Sequence, residues 1–178
     1  MSYLVLARKW RPKLFDEVVG QDHAVKALKN SLIEKKIHQA YIFNGTRGVG
    51  KTSIARILTK AFNCENLIDG EPCNACPSCN AINNNSSIDF QEIDAASRRS
   101  REETMSLLET VPYMPATSKY KVYLIDEVHM LTKESFNALL KTLEEPPPHV
   151  IFMFATTEIE KVPPTILSRC LHLNLRSV

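Results

Sequence analysis

Residues 40–63 read AYIFNGTRGVGKTSIARILTKAFN. The opening AYIFNG, 40–45, is a short apolar run of the kind that forms a buried strand. KTSIARILTKAFN, 51–63, puts Ile54, Ile57 and Leu58 on one helical face. Between them lies G-x-x-x-x-G-K-T, residues 45–52, which holds three of the chain's five glycines. A strand, a glycine loop and a helix in that order form a phosphate cradle. The glycines let backbone N–H groups turn inward, and the helix start adds a positive field. Gly45, Thr46, Arg47, Gly48, Val49, Gly50, Lys51, Thr52 and Ser53 are therefore the candidate phosphate contacts. Lys51 suits the outer phosphates, and the Thr52 hydroxyl suits Mg²⁺.

Outward from this stretch, strand and helix patterns alternate. QDHAVKALKNSLIEKK (21–36) predicts a helix before it. SIDFQEID (87–94) predicts a strand, SREETMSLLETV (100–111) a helix, KVYLID (121–126) a strand, and TKESFNALLKTLEE (132–145) a helix stopped by Pro146. VIFMFATT (150–157), PPTILSR (163–169) and LHLNL (171–175) then predict strand, short helix and strand. Such alternation implies an α/β fold, a parallel sheet covered on both faces. In that architecture ligands sit at the carboxyl ends of strands. Asp126 and Glu127, ending KVYLID, should emerge beside the glycine loop. Asp126 suits the metal and Glu127 suits activating a water. A solvated acidic turn is the competing reading. Thr157, at the end of FATT, suits a hydrogen bond to the terminal phosphate or the water, against a plain polar strand end.

Length and composition bound the rest. The 178 residues make about one domain, 1–178. Hydrophobic content of 44% and charged content of 24% match globular averages, and a net charge of +2 gives no bulk attraction to nucleic acid. No apolar run approaches the ~18 residues of a spanning helix, so no membrane role is expected and the cytoplasm is the default location. The last residues, Arg176, Ser177 and Val178, carry no closing element, which reads as a fragment.

Cys64, Cys73, Cys76 and Cys79 have the spacing C-x8-C-x2-C-x2-C. In a reducing compartment this pattern predicts a structural four-thiolate zinc site, stabilising an insertion, about 64–79, too small for its own core. Two disulfides are the alternative, poorly served by the close Cys76 and Cys79. Cys170 stands apart as a small buried side chain. The five histidines show no pairing at ligand spacing.

Taken together, VLARKWRP, FDEVVGQ, GTRGVGKTS, the four cysteines, EIDAASR, VYLIDEVHML, FNALLKTLEEPP, FATT and ILSRC resemble the N-terminal ATPase module of bacterial DNA polymerase III gamma/tau subunits, from about residue 3 to 175. The resemblance implies a P-loop NTPase of the AAA+ type, with a five-stranded parallel sheet in an αβα layer. It implies a clamp-loader motor that uses ATP and Mg²⁺, carries structural Zn²⁺, and loads the sliding clamp on primed DNA during replication. Its partners would be copies of itself, delta- and delta-prime-type subunits, the clamp and DNA. Family members continue into a helical lid and collar that this chain does not include.

The same likeness implies that Ala7, Arg8, Arg11, Pro12, Val18 and Val19 surround adenine and ribose, against the reading of a docked strap. It makes Arg169 an arginine finger acting in trans on a neighbour's phosphate. An arginine capping its own helix is the competitor. Ser97, Arg98 and Arg99 would touch DNA backbone, or form a solvated basic turn. Loop 111–121, with Tyr113 and Met114, would face the clamp. Two other functions compete: a stator that binds no nucleotide, which the intact loop and acidic pair oppose, and an AAA+ helicase or remodeller, which the cysteines and LARKWRP oppose.

Overall fold

The computed structural model describes residues 11–178. Ala7 and Arg8 lie outside the described residues. Five strands form one sheet: β1 (Ala40–Asn44), β2 (Phe90–Asp94), β3 (Lys121–Asp126), β4 (Val150–Thr156) and β5 (Leu171–Asn174). Their order is β2-β3-β4-β1-β5, and every pairing is parallel. The central strands β1, β3 and β4 are buried along almost their whole length because both faces are covered.

Among the described residues there are six α-helices, α1 (Asp22–Ile33), α2 (Lys51–Asn63), α3 (Pro77–Asn83), α4 (Ser100–Thr110), α5 (Lys133–Glu144) and α6 (Pro164–Leu167); α3 packs on α2, and the other five cover the sheet. Alternation along each strand divides the core in two. Tyr41, Phe43, Val122, Leu124, Ile151 and Met153 pack under α1 and α2. Ile42, Tyr123, Ile125, Phe152 and Phe154 pack under α4, α5 and α6, against Leu107, Leu139, Leu143 and Ile166. No helix among the described residues is long and apolar enough to cross a membrane.

Most element ends fall within two residues of the periodicity reading, and three larger differences remain, two of them boundaries and one an added helix. Helix α1 stops at Ile33 rather than running to 36. Lys35 turns left-handed (φ 58°), and the Lys35 and Lys36 N–H groups donate back to Leu32 and Ser31, a Schellman closure. The cysteine segment holds a helix, α3, that the spacing did not announce. Cys76 caps it by accepting the Cys79 N–H on its sulfur, and Pro77 opens its first turn.

Strand β2 begins at Phe90 rather than at 87, and the side chain of the preceding Asp89 serves the loop opposite. Its buried carboxylate accepts the N–H groups of Ala116 (2.7 Å), Thr117 (2.9 Å) and Ser118 (2.8 Å). Burial opposes the charged form, yet these donors hold the carboxyl below its usual range. Asp89→Asn is expected to lose about 2 kcal/mol at neutral pH, because a neutral amide replaces charge-assisted acceptors. A depressed folded pKa stabilises fully above the unfolded value and ceases to do so as pH falls through the folded one. Urea melts at pH 7 should therefore separate the two chains, and the difference should shrink as pH falls below the usual carboxylate range.

Candidate active site and metal centre

The parallel sheet aligns the carboxyl ends of its strands on one rim. Asp94 pairs with Asp126 across β2 and β3, and Asn44 pairs with Thr156 across β1 and β4. From β1 the chain enters the glycine loop, anchored by the Gly45 N–H on the Thr156 carbonyl (3.2 Å). A side chain at Gly45 would meet Val49 at 2.7 Å and the Leu175 carbonyl at 3.1 Å. Gly48 (φ 83°) and Gly50 (φ 97°) face open space, so their requirement is backbone handedness rather than room. A non-glycine residue there costs about 1–2 kcal/mol.

Helix α2 starts at Lys51 without a side-chain cap on its N-terminus and without an acid in its first turn. Its first N–H groups are thus suited to an anionic ligand. Lys51 is buried, and its Nζ donates to the carbonyls of Gly45 (2.7 Å) and Thr46 (2.8 Å). Thr52 and Ser53 occupy the same first turn.

Asp126 and Glu127 arrive from β3. Asp126 accepts the Glu127 N–H at 2.9 Å, and Glu127 adopts the left-handed region (φ 51°, ψ 47°). Burial raises the Asp126 carboxyl above its usual range; Glu127 and Asp94 add to this, while the Glu127 N–H and Lys51 oppose it. Burial likewise lowers Lys51, against the pull of Glu127 and Asp126. A divalent cation beside Asp126 and phosphates beside Lys51 would relieve both costs. The donor set therefore fits a Mg²⁺–nucleotide pair. Thr157 donates its hydroxyl to Glu127 Oε2 at 3.0 Å, so the polar strand end engages the acid.

Two further residues belong to this neighbourhood and carried no motif. His129 sits in the turn after Glu127; its ring lies 2.8 Å from Thr156 Oγ1 and 3.5 Å from Glu127 Oε2. Buried Gln21 donates to the carbonyls of Val49 (3.3 Å) and Arg176 (2.7 Å) and accepts the Arg176 N–H, tying the glycine loop to the exit of β5. The signal for Gln21 was its place in FDEVVGQ, immediately before a helix, where a buried amide must find partners.

The remaining candidates lie in groups apart from one another, most of them at the surface. Val18 joins the same core cluster as Val49, and Val19 is exposed. Arg11 and Pro12 line a separate cavity of about 480 Å³ with Arg56, Lys60 and Asn83. Ser97, Arg98 and Arg99 are exposed just before α4, whose first turn carries Glu102 and Glu103. Those acids already complement the positive helix end. Exposed Arg169 follows α6; within this chain it donates to the Thr165 carbonyl (2.8 Å) and lies 3.5 Å from Glu144. Tyr113 and Met114 are about 70% exposed.

The four cysteines converge. The sulfurs of Cys64, Cys73, Cys76 and Cys79 all lie within 4.8 Å of one another, with no disulfide among them. Cys73, Cys76 and Cys79 send N–H groups to the sulfurs of Cys64, Cys73 and Cys76 respectively. The Cys73 thiol is drawn down to about 6, chiefly by the Ala75 N–H, while burial raises Cys64 and Cys79. Four converging sulfurs, three of them buried, match a tetrahedral Zn²⁺ shell with Zn–S bonds of about 2.3 Å. Cys170, apart from this cluster, is pushed up to about 12 by burial.

The insertion is also tied to the N-terminal arm. Glu71 accepts the N–H groups of Phe15 (2.7 Å) and Asp16 (3.2 Å). Buried Lys60 donates to the Lys13 carbonyl and to the side chains of Asn74 and Asn83.

Comparison with known proteins places this geometry in context. A family profile described as "DNA polymerase III, delta subunit" matches residues 20–178. The chain is 59% identical, over its whole length, to the DNA polymerase III subunit tau of Escherichia coli, and spans 28% of that protein. It is 55% identical over 98% of its length to a DNA polymerase III subunit gamma from Buchnera aphidicola, spanning 48% of it. The chain thus spans from about a quarter to half the length of these relatives. Among solved structures, the RuvB Holliday junction branch migration motor of Thermotoga maritima superposes with a TM-score of 0.57 at 19% identity, over 94% of this chain and 48% of that one. That likeness concerns the fold, a P-loop NTPase core of the AAA+ type.

Proposed function

We infer, because this chain belongs to the DNA polymerase III subunit family matched over residues 20–178 and has gamma and tau subunits as its relatives, that it is an ATP-driven clamp-loader motor. ATP binding would order the assembly to open and hold the sliding clamp, and hydrolysis on primed DNA would release it. The observation that carries this reading is the convergence of Lys51, Asp126, Glu127 and Thr157 around one glycine loop. A stator that binds no nucleotide would not need the hydrolytic set. A RuvB-like remodeller shares the fold, but the 59% relative and the cysteine cluster favour a loader.

In this reading residues 45–53 hold the phosphates, Thr52 and Asp126 hold Mg²⁺, Glu127 activates the water, and Thr157 orients it. The four cysteines hold Zn²⁺. Ala7, Arg8, Arg11, Pro12, Val18 and Val19 border the base and ribose, Ser97, Arg98 and Arg99 face the DNA backbone, and Tyr113 and Met114 face the clamp. Other gamma/tau-type, delta- and delta-prime-type subunits complete the assembly in the bacterial cytoplasm.

Arg169 gives the sharpest test. Its exposed position allows it to leave Thr165 and Glu144 for a neighbour's phosphate, where a finger contributes about 10³–10⁵ in rate. The full-length protein, assembled with its partner subunits, clamp and primed DNA, is prepared as Lys51→Ala, as Arg169→Ala, and as a mixture of both. Each single variant should be nearly inactive, and the mixture should regain turnover where an intact loop meets an intact finger. A mixture as inactive as its parents overturns action in trans.

A further inference from the structure

His129 is almost wholly enclosed, with 4% of its side chain exposed, yet two carboxylates face its Nε2: Glu158 Oε2 at 3.1 Å and Glu127 Oε2 at 3.5 Å. On the other side, Nδ1 lies 2.8 Å from Thr156 Oγ1, which also accepts the Glu158 N–H at 3.1 Å. Because that N–H occupies one lone pair, the Thr156 proton is free to point at Nδ1. The ring then carries its own proton on Nε2. A ring protonated on both nitrogens would also donate from Nε2. Only the opposite neutral tautomer would not, and it would aim a lone pair at two acids. Every arrangement compatible with the neighbours makes Nε2 a donor.

We propose that His129 is a positioning residue for Glu127, a fixed N–H that holds the Glu127 carboxylate by its Oε2 oxygen. This rests on the reading of Glu127 as the base. Thr157 donates to the same Oε2 at 3.0 Å, and His129 Nε2 approaches it at 3.5 Å, so two side chains from the rim converge on one oxygen. Oε1 is left to accept the proton of an attacking water. Glu127 needs such a grip, since its left-handed backbone places the side chain by local geometry and a free carboxylate would still rotate about its own bonds. Glu158, paired with Lys161 at 3.0 Å, is the nearer carboxylate to the same Nε2, at 3.1 Å, and shares it with Glu127.

The test uses the full-length protein in its assembled complex, with steady-state turnover, equilibrium binding of a fluorescent ATP analogue, and thermal melting. His129→Leu should lower kcat by about 10–100-fold, the usual effect of removing an orienting partner. Nucleotide affinity should stay within about twofold, because no phosphate or base contact has changed. His129→Gln carries an amide donor near the place of Nε2 and should recover most of the loss. His129→Asn, whose shorter amide reaches only the Nδ1 position, should not. Should the leucine chain fail to fold, the two amides decide between them, and equal activity overturns the proposal.

Wild-type kcat in His129→Leu overturns it as well, as does a parallel fall of affinity, melting temperature and kcat in all three variants. Glu127→Gln in the same assay separates the two levels. Full turnover there removes the base and this inference together. Turnover lost in Glu127→Gln but kept in His129→Leu removes the inference alone.

Discussion

A chain carrying Glu127→Gln is expected to bind ATP as the parent does and to hydrolyse it about 10²–10⁴-fold more slowly, the contribution of a positioned general base. The substitution keeps size and the hydrogen bond from Thr157, and removes only the basic oxygen. Lys51, Thr52 and the Asp126 carboxylate are untouched, so phosphate and metal contacts persist. The left-handed backbone at Glu127, a conformation costing about 1–3 kcal/mol for a non-glycine residue, is paid for in either chain by the same rim. Phosphate release and analogue binding, measured side by side in the assembled complex, check this. Equal loss of affinity and turnover would mean that Glu127 holds nucleotide rather than activating water.

The second large effect concerns the cysteines. Removing the metal with a chelator, or replacing Cys79 by Ala, is expected to unfold the segment that the four thiolates close. That segment has no other core: its cluster consists of cysteines with Leu67 alone beside them. Structural zinc in small modules contributes about 10–16 kcal/mol of binding free energy, which here is folding free energy. Protection of residues 64–79 from protease should vanish. Release of Glu71 should also free the N–H groups of Phe15 and Asp16, so the damage reaches the arm. Each ~1 kcal/mol lost lowers the melting temperature by about 2–4 °C in a domain of this size, so the fall should be large. Metal analysis should find a zinc ion in the reduced parent chain and none in the variant; a metal-free parent with a protected insertion would sink this reading.

Legibility in the sequence followed the range of the forces involved. The glycine loop, the central strands and α2 were readable because motif, period and apolar run are all local. Helix α3 was hidden because CPSC serves two local purposes at once, a metal knuckle and a capped, proline-started turn. The early end of α1 depended on one left-handed lysine that no pattern marks. The partners of Asp89, Gln21 and His129 were hidden for a different reason. Their partners lie 155 residues away for Gln21 and 27 for the His129 contact with Thr156, so their roles exist only after the sheet has closed. Arg169 is harder still, because the phosphate it would serve belongs to another chain.

Strand order also dictates a timetable. Strand β1, which delivers the glycine loop, has only β4 and β5 as neighbours, and β4 begins more than a hundred residues after β1 starts. At ~5–20 residues per second, a ribosome needs on the order of 5–20 s to supply them. Throughout that interval the loop has no sheet to hang from, whereas the cysteine knuckle is complete within 16 residues of chain, 64–79. The four cysteines of a nascent chain can therefore meet well before the glycine loop has a sheet to stand on.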